Sequence, residues 1–454
     1  MKRSVFVAPL FLVALAPGAL AAEFSVKGNA RETTDVSDNY FLTPMPLGYA
    51  GKTLSAIDLD FLAATTTTRY TLDSHYSYYK YFGPGAEDQQ LNWGTPATVK
   101  YNVDYAYDPR TKFNYSAAWS RSDVATTTLT ETGTSSGRGS VDTYRATVGG
   151  SYSATHADSF SWVANVSTVS YTDPTQTPYV DYATTGAWNH RISAATVLTQ
   201  SVNFDWFQSD DIFKSQRLFW TAQSGFQSQI SRRWFVNGEA GVSLVNAYQN
   251  NPIALLNIPT VITPGAAQGF VGDLGVTYKV DPTTVALLKL SKAVTPTVLG
   301  QLQNTESLGL TMTHTINRVA NLTFLSQFSH AKSSADTSSD LFTTSVNLEY
   351  KLSREWKTST SYTYRQRNDS AGVTRAHMVL VSLSRDFNVY GKPAPPLPKT
   401  QAEIIRQAQQ RAEQALPSLT PGELPQLLPD DQTTPAGEPG QPVDQTDQNQ
   451  PTQQ

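Results

Sequence analysis

The 454-residue chain contains no cysteine, which excludes a disulfide framework, a thiolate metal site, a cysteine nucleophile and a lipoprotein anchor. It is short of charge as well: Asp, Glu, Lys and Arg make up 16% of it, where about 25% is ordinary for a soluble domain. A net charge of −4 and a pI near 5.9 exclude a broadly basic nucleic-acid binder. No apolar run reaches the roughly 20 residues that a membrane-spanning helix needs. Gly-rich phosphate loops, His-x-Glu pairs and acidic calcium repeats are missing too, so neither cofactor nor metal is expected. Hydroxyl, amide and aromatic side chains take the vacated share. With 22 Tyr, 19 Phe and 8 Trp, aromatics reach 11%, too many for a chain that stays unfolded.

Lys2 and Arg3 precede an apolar run from Val5 to Ala16, and Pro17-Gly18 then leads to Ala19-Leu20-Ala21, a small-x-small cleavage site. This pattern predicts a secretory signal peptide over residues 1–21 and an exported protein of a Gram-negative bacterium.

Beyond it, apolar and polar residues alternate. In one segment Val99, Tyr101, Val103, Tyr105 and Tyr107 interleave with Lys100, Asn102, Asp104 and Ala106. A strand sends successive side chains to opposite faces, so one face is apolar and the other polar. Asp108-Pro109-Arg110-Thr111 follows as a type I turn sequence. A second alternating strand ends in a Thr/Ser/Gly-rich stretch over 121–140. This unit recurs. Tight turns are expected near 65–68, 108–111, 156–159, 190–193, 231–233, 281–283, 317–319 and 353–355. Longer loops are expected near 34–52, 80–95, 121–140, 172–178, 208–216, 246–267, 293–305, 331–340 and 367–375. These seventeen connections join eighteen strands; a range of 16–18 is allowed because 22–33 and 51–64 alternate weakly. Long and short connections sort to opposite ends. A soluble sandwich does not sort them so, whereas an all-β, antiparallel up-and-down transmembrane barrel over 22–390 does.

The apolar face carries aromatics near both ends. Tyr107, Phe113, Phe160, Trp162, Trp188, Trp234, Tyr278, Tyr350 and Trp356 lie near the tight turns. Trp119, Trp206, Trp220, Phe328 and Tyr364 lie near the longer loops. Two girdles around Val, Leu and Ala suit a band facing outer-membrane lipid. The opposite register is the expected lumen lining: Lys100, Asn102, Asp104, Arg145, Asp205, Gln227, Glu239, Asp273, Lys279, Asn347, Glu349, Lys357 and Arg365, among Ser, Thr and further amides. Both charge signs are mixed there, so strong ion selectivity is not expected. Residues 1–21 hold two bases and no acid, and 391–454 hold four bases and eight acids, which leaves the barrel at −2.

An enzyme is not expected. Of six histidines only His75, with Asp73 and Ser77 on the same face of its strand, makes a local constellation, and triads generally draw on separate elements. Two loop stretches are unusually apolar: Ile253 to Ile262, and Val294, Val298 and Leu299 around Pro296. They either cover the barrel mouth or tuck inward to narrow the pore.

The sequence changes character at Gly391. Pro393, Pro395, Pro396 and Pro398 make a stiff spacer over 391–398, and 12 of the 26 prolines lie beyond residue 390. Thr400-Gln401-Ala402-Glu403 is a capping-box pattern that opens a short helix over 399–416, with Ile404, Ile405, Ala408, Ala412 and Leu416 as its apolar stripe. Residues 417–454, rich in Pro and Gln, read as a disordered periplasmic tail, an inert linker or a tether for an export or cell-wall partner.

A signal peptide, many alternating strands and a last strand reading Met378-Val379-Leu380-Val381-Ser382-Leu383-Ser384-Arg385-Asp386-Phe387 resemble outer-membrane β-barrel proteins. Among these the chain is similar to porin-like barrels associated with exopolysaccharide export. The resemblance is architectural, spans about 22–390 and transfers no functional residue. In such barrels the chain usually ends at the terminal aromatic, whereas here a long tail follows Phe387. Three functions are therefore expected to compete: a passive pore for hydrophilic solutes, a conduit for a secreted polysaccharide, and a non-conducting structural or adhesive barrel.

Overall fold

Every alternating segment becomes a strand in the computed structural model, which describes residues 23–390 apart from 44, 47, 89–92, 124–138, 174–175, 211–215, 249–265, 297–301, 334–337 and 371. The expected signal peptide, spacer, helix and tail lie outside the described residues, as do the apolar stretch 253–262 and Val298-Leu299.

The first strands are β1 (Glu23–Ser37), β2 (Ala50–Ala64), β3 (Thr68–Phe82), the two-residue β4 (Trp93–Gly94), β5 (Ala97–Ala106) and β6 (Thr111–Asp123). Next come β7 (Ser140–Ser153), β8 (Asp158–Tyr171), β9 (Tyr179–Arg191), β10 (Thr196–Ser209), β11 (Gln216–Ser228) and β12 (Trp234–Tyr248). The last are β13 (Ala266–Asp281), β14 (Thr284–Pro296), β15 (Leu302–Asn317), β16 (Ala320–Ser333), β17 (Ser338–Lys351), β18 (Trp356–Asp369) and β19 (Gly372–Tyr390). One short helix, α1 (Pro84–Asp88), sits between β3 and β4. All pairings are antiparallel. β3 pairs with both β4 and β5, which therefore share one place in the wall, and β1 pairs with β19 as well as β2. The result is a closed, eighteen-strand up-and-down barrel.

A shared local device makes the eight tight turns. In each, a side-chain oxygen accepts the backbone N–H two residues on: Thr65 from Thr67, Asp108 from Arg110, Thr155 from Ala157, Ser193 from Ala195, Ser231 from Arg233, Asp281 from Thr283, Asn317 from Val319 and Ser353 from Glu355. Such Asx and Ser/Thr turns reverse the chain without help from elsewhere in the fold.

Four expectations change. Val294 and Pro296, expected in a loop, end β14 instead, in register with Asn304 and Leu302 of β15. The ninth long connection, placed near 367–375, is short: β18 and β19 stay paired as far as Asp369 and Gly372, leaving 370–371 between them. Gly372 makes this possible with φ at +112°, a conformation that costs only glycine little. The last strand runs past Phe387 to Tyr390, which pairs with Val26. The connection near 80–95 is not plain loop but carries α1 and β4.

Closure joins the two ends of the chain. Asn29 donates to Asp386 at 2.6 Å on the inner face, and the Phe387 ring covers Gly28 on the outer one. A side chain at Gly28 would collide with that ring. In lipid no water can satisfy a strand edge, so this seam is what a membrane barrel requires.

The outer register is apolar and exposed, as Leu288, Leu310, Val346 and Val381 illustrate. Its aromatics pair across strands: Trp234 stacks on Tyr278 at 4.3 Å, Tyr182 on Trp206 at 5.3 Å, and Phe204 meets Trp220 edge-on at 4.7 Å. Each such pair adds about 0.5–1.5 kcal/mol beyond its buried area. Above this band, toward the long-loop end, the outer face turns ionic. Lys292, Glu306, His330 and Asp340 stand in one register row across four strands, with Lys292–Glu306 at 2.8 Å and His330–Asp340 at 2.6 Å. An apolar band bounded by aromatics and then by charge is the outer surface of an outer-membrane β-barrel.

Candidate functional site

The inner register is the face on which chemistry can act, and each sequence-selected residue lies on it. On β5, Lys100, Asn102 and Asp104 alternate with the outward Val99, Tyr101, Val103 and Tyr105. Asn102 is buried and donates its amide to Thr71 at 2.9 Å, while Lys100 and Asp104 stand in register with Asp73 and Arg69 of β3. Arg145 lies on β7 beside the buried Thr147, and Asp205 on β10 between Ala183 and Phe219.

Gln227 faces Asn237 across β11 and β12, and one step along Glu239 faces Asp273. Two carboxylates placed directly opposite each other repel unless something neutralises them. Gly225 flanks Glu239 on the other side, and Gly275 lies between Asn237 and Lys289, so backbone is bare around these groups. Lys279 sits near the short-turn end of β13, and Asn347 and Glu349 lie in the same half of β17. Lys357 of β18 pairs with Asp386 of β19 at 2.9 Å, beside the seam where Asp386 accepts from Asn29. Arg365 pairs in register with Thr343 and lies within electrostatic reach of Asp35 and Tyr40. The selected residues thus do not converge on one centre; they spread around the wall.

One sector is neutral. Among the described residues, β15 and β16 direct no charged side chain inward: β15 offers Thr305, Ser307, Gly309, Thr311 and Thr313, and β16 offers Asn321, Thr323, Leu325, Gln327 and Ser329. Hydroxyls bridge neighbouring strands here and between β18 and β19, Ser291 to Ser307 at 2.6 Å and Ser359 to Ser382 at 2.7 Å.

Sequence reasoning missed the inner charges of the first strands: Asp35, Lys52, Asp58, Asp60 and Arg69. Their signal was faint, because on β2 the outward Thr53 and Ser55 break the contrast until Ile57, Leu59 and Phe61 restore it. The His75 constellation resolves differently from its sequence spacing. Asp73, His75 and Ser77 do share the inner face, but the His75 ring bonds Asp58 on β2. Ser77 is buried and donates to the Pro96 carbonyl at 3.3 Å, so its hydroxyl is not turned to the imidazole. The geometry is that of a cross-strand acid–histidine pair on a wall, without a nucleophile at hand.

Over residues 38–43, the first long connection folds inward rather than out. Tyr40 and Phe41 are buried and pack with inward-facing Tyr79 and Tyr81 of β3, Ala50 of β2, Ala86 of α1 and Met378 of β19, and Leu42 beside them is fully buried. The barrel therefore carries an inner shelf at its long-loop end.

No protein-family model matches the chain, and no curated protein matches it. Solved structures of similar shape include OccK2 (OpdF) of Pseudomonas aeruginosa, at 11% identity, 81% of this chain, 98% of that one and a TM-score of 0.48. A BenF-like porin of Pseudomonas fluorescens Pf-5 matches at 8% identity, 81% and 99% coverage and a TM-score of 0.48. The siderophore receptor PirA of Pseudomonas aeruginosa matches at 9% identity, 80% and 80% coverage and a TM-score of 0.43. At such identities and TM-scores no residue role passes to this chain, and the barrel assignment rests on its own strand pairing.

Proposed function

We propose that this outer-membrane barrel is a water-filled channel for small hydrophilic solutes. One observation carries the reading: a closed eighteen-strand wall whose outer register is apolar and whose inner register is hydroxyl, amide and mixed charge. A cylinder of that strand number leaves space at its axis, and a polar inner wall keeps that space wet. Lys100, Asn102, Asp104, Arg145, Asp205, Gln227, Glu239, Asp273, Lys279, Asn347, Glu349, Lys357 and Arg365 are then pore-lining. Because both charge signs are mixed among them, cation–anion selectivity is weak. The hydroxyl sector of β15 and β16 suits neutral polyhydroxylated solutes, which exchange hydrogen bonds with it at little cost. Passage of a secreted polysaccharide rests on the sequence resemblance alone.

In this reading residues 1–21 are the export signal, the long connections face outside, and the tail beyond Tyr390 hangs in the periplasm as a linker or tether. Reconstitution in planar bilayers tests the channel, using the full chain and a chain ending at Tyr390. Stepwise currents of weak selectivity are expected from both. Silence of both would assign the protein to structural or adhesive barrels instead.

A further inference from the structure

We propose that the inward-folded first connection is the constriction of this channel's mouth, and that Lys52 is the positioning residue that holds it there. The effect on flow rests on the channel reading; the latch itself does not.

The sequence sets the problem. Tyr40-Phe41-Leu42 is an apolar run inside a connection between two strands, where side chains ordinarily meet water. Tyr40 and Phe41 escape water by lying against the inner wall, from Met378 on β19 across the seam to Tyr79 and Tyr81 on β3. Leu42 is fully buried and holds φ at +49°, the single non-glycine with positive φ among the described residues. A bulky residue keeps that conformation only when its surroundings over-determine it.

Two residues before Leu42, Tyr40 is held at Lys52. Its ammonium is almost shut off from water, 3.8 Å from the Asp35 carboxylate. Three tyrosine rings surround it, with centroids 5.9 Å (Tyr40), 5.8 Å (Tyr79) and 5.9 Å (Tyr81) away. Tyr79 and Tyr81 belong to the wall; Tyr40 belongs to the loop. The Tyr40 hydroxyl also donates to Asp35 at 3.4 Å, so one loop residue contacts both charges. A buried cation needs every partner it has, and a cation–π contact is strongest where water is excluded. Pulling the loop outward would remove one wall of the cage and leave Lys52 and Asp35 short of a partner.

A second anchor lies at the start of the loop. The Asn39 amide donates to the Thr43 carbonyl at 2.9 Å and to the Arg375 carbonyl at 3.0 Å, and its oxygen accepts the Thr43 N–H at 2.9 Å. Asp38 accepts the His377 N–H at 2.7 Å. Loop and wall are thus joined on both sides of the seam. Met45, 87% exposed, marks the free lip of the shelf.

The absence of cysteine lets a single introduced thiol report on the loop in the full-length protein in intact cells. Leu42→Cys should resist a membrane-impermeant maleimide, and Met45→Cys should react readily. Adding Lys52→Met to Leu42→Cys should speed its labelling by about tenfold, which corresponds to about 1.4 kcal/mol of lost latch. Lys52→Arg, which keeps the cation, should restore protection. Lys52→Met without a thiol should raise single-channel conductance. If Lys52→Met does not assemble, Asn39→Ala, which leaves the cage intact and frees the other anchor, decides by the same two readouts. Labelling of Leu42→Cys that is unchanged by either substitution, or already as fast as that of Met45→Cys in the native background, overturns the latch. Faster labelling with no current from any variant supports the latch and defeats the channel reading.

Discussion

Leu288 tests the register of the wall, because a slip of one residue would carry it from lipid to lumen. It is 38% exposed on the outer face of β14, with Val276 and Leu310 as register partners. Four residues above it stands Lys292 in the ionic row, and four below lies Thr284, where the strand begins. With about 3.3 Å per residue and a tilt near 40°, each interval is roughly 10 Å of depth. Leu288 therefore sits near the middle of an apolar band about 20–25 Å tall. An arginine at the midplane costs about 2–4 kcal/mol, against about 0–1 near the interfaces. Leu288→Arg should fall in the first range. Lys289, the next residue, faces inward between Gly275 and Gly309, so Lys289→Arg should stay within about 0.5 kcal/mol of the native chain. Guanidinium titration of the protein folded into phospholipid vesicles reads both values as midpoint shifts. Equal midpoints for Leu288→Arg and the native chain would refute the assigned register, as would equal losses for the two variants.

Gly28→Val should cost about 1–3 kcal/mol by displacing Phe387 at the seam. Phe387→Ala in the same chain should recover part of that loss, and strictly additive losses would show the two positions to be independent. At the turn after β5, the Arg110 backbone N–H, with help from the Thr111 N–H and hydroxyl, holds the Asp108 carboxyl below the usual carboxylate range. Its contribution to the turn is thus complete above the ordinary carboxylate pKa and fades as pH falls through the lowered one. An NMR titration showing Asp108 at an ordinary value would remove that contribution. Protease added to intact cells should cut within 121–140 or 246–267 and spare 399–454; cleavage of the tail would reverse the proposed orientation.

How far the sequence reaches is clearest at the turns and the seam. Asp108, Ser231 and Asn317 each reverse the chain by accepting an N–H two residues on, so their positions are written in adjacent residues. The two registers are local as well, because residues i and i+2 share a face whatever the strand pairs with; hence alternation alone puts Lys100, Arg145, Asp273 and Lys357 on the register opposite the apolar one. The short connection before Gly372 was hidden, since a polar stretch reads the same whether the ladder stops early or continues to a glycine that can take positive φ.

Other features depend on residues far apart in the chain, and only the closed barrel decided them. Asn29 meets Asp386 across 357 positions, and Gly28 is required by a ring that arrives with the last strand. His75 looks toward Asp73 and Ser77 in sequence, yet takes its partner from Asp58 on the neighbouring strand. The apolar run Tyr40–Leu42 could not be distinguished by sequence from an ordinary loop. Its place on the inner wall exists only because closure brings β19, β2 and β3 together, giving two buried rings and one lysine a common surface to share.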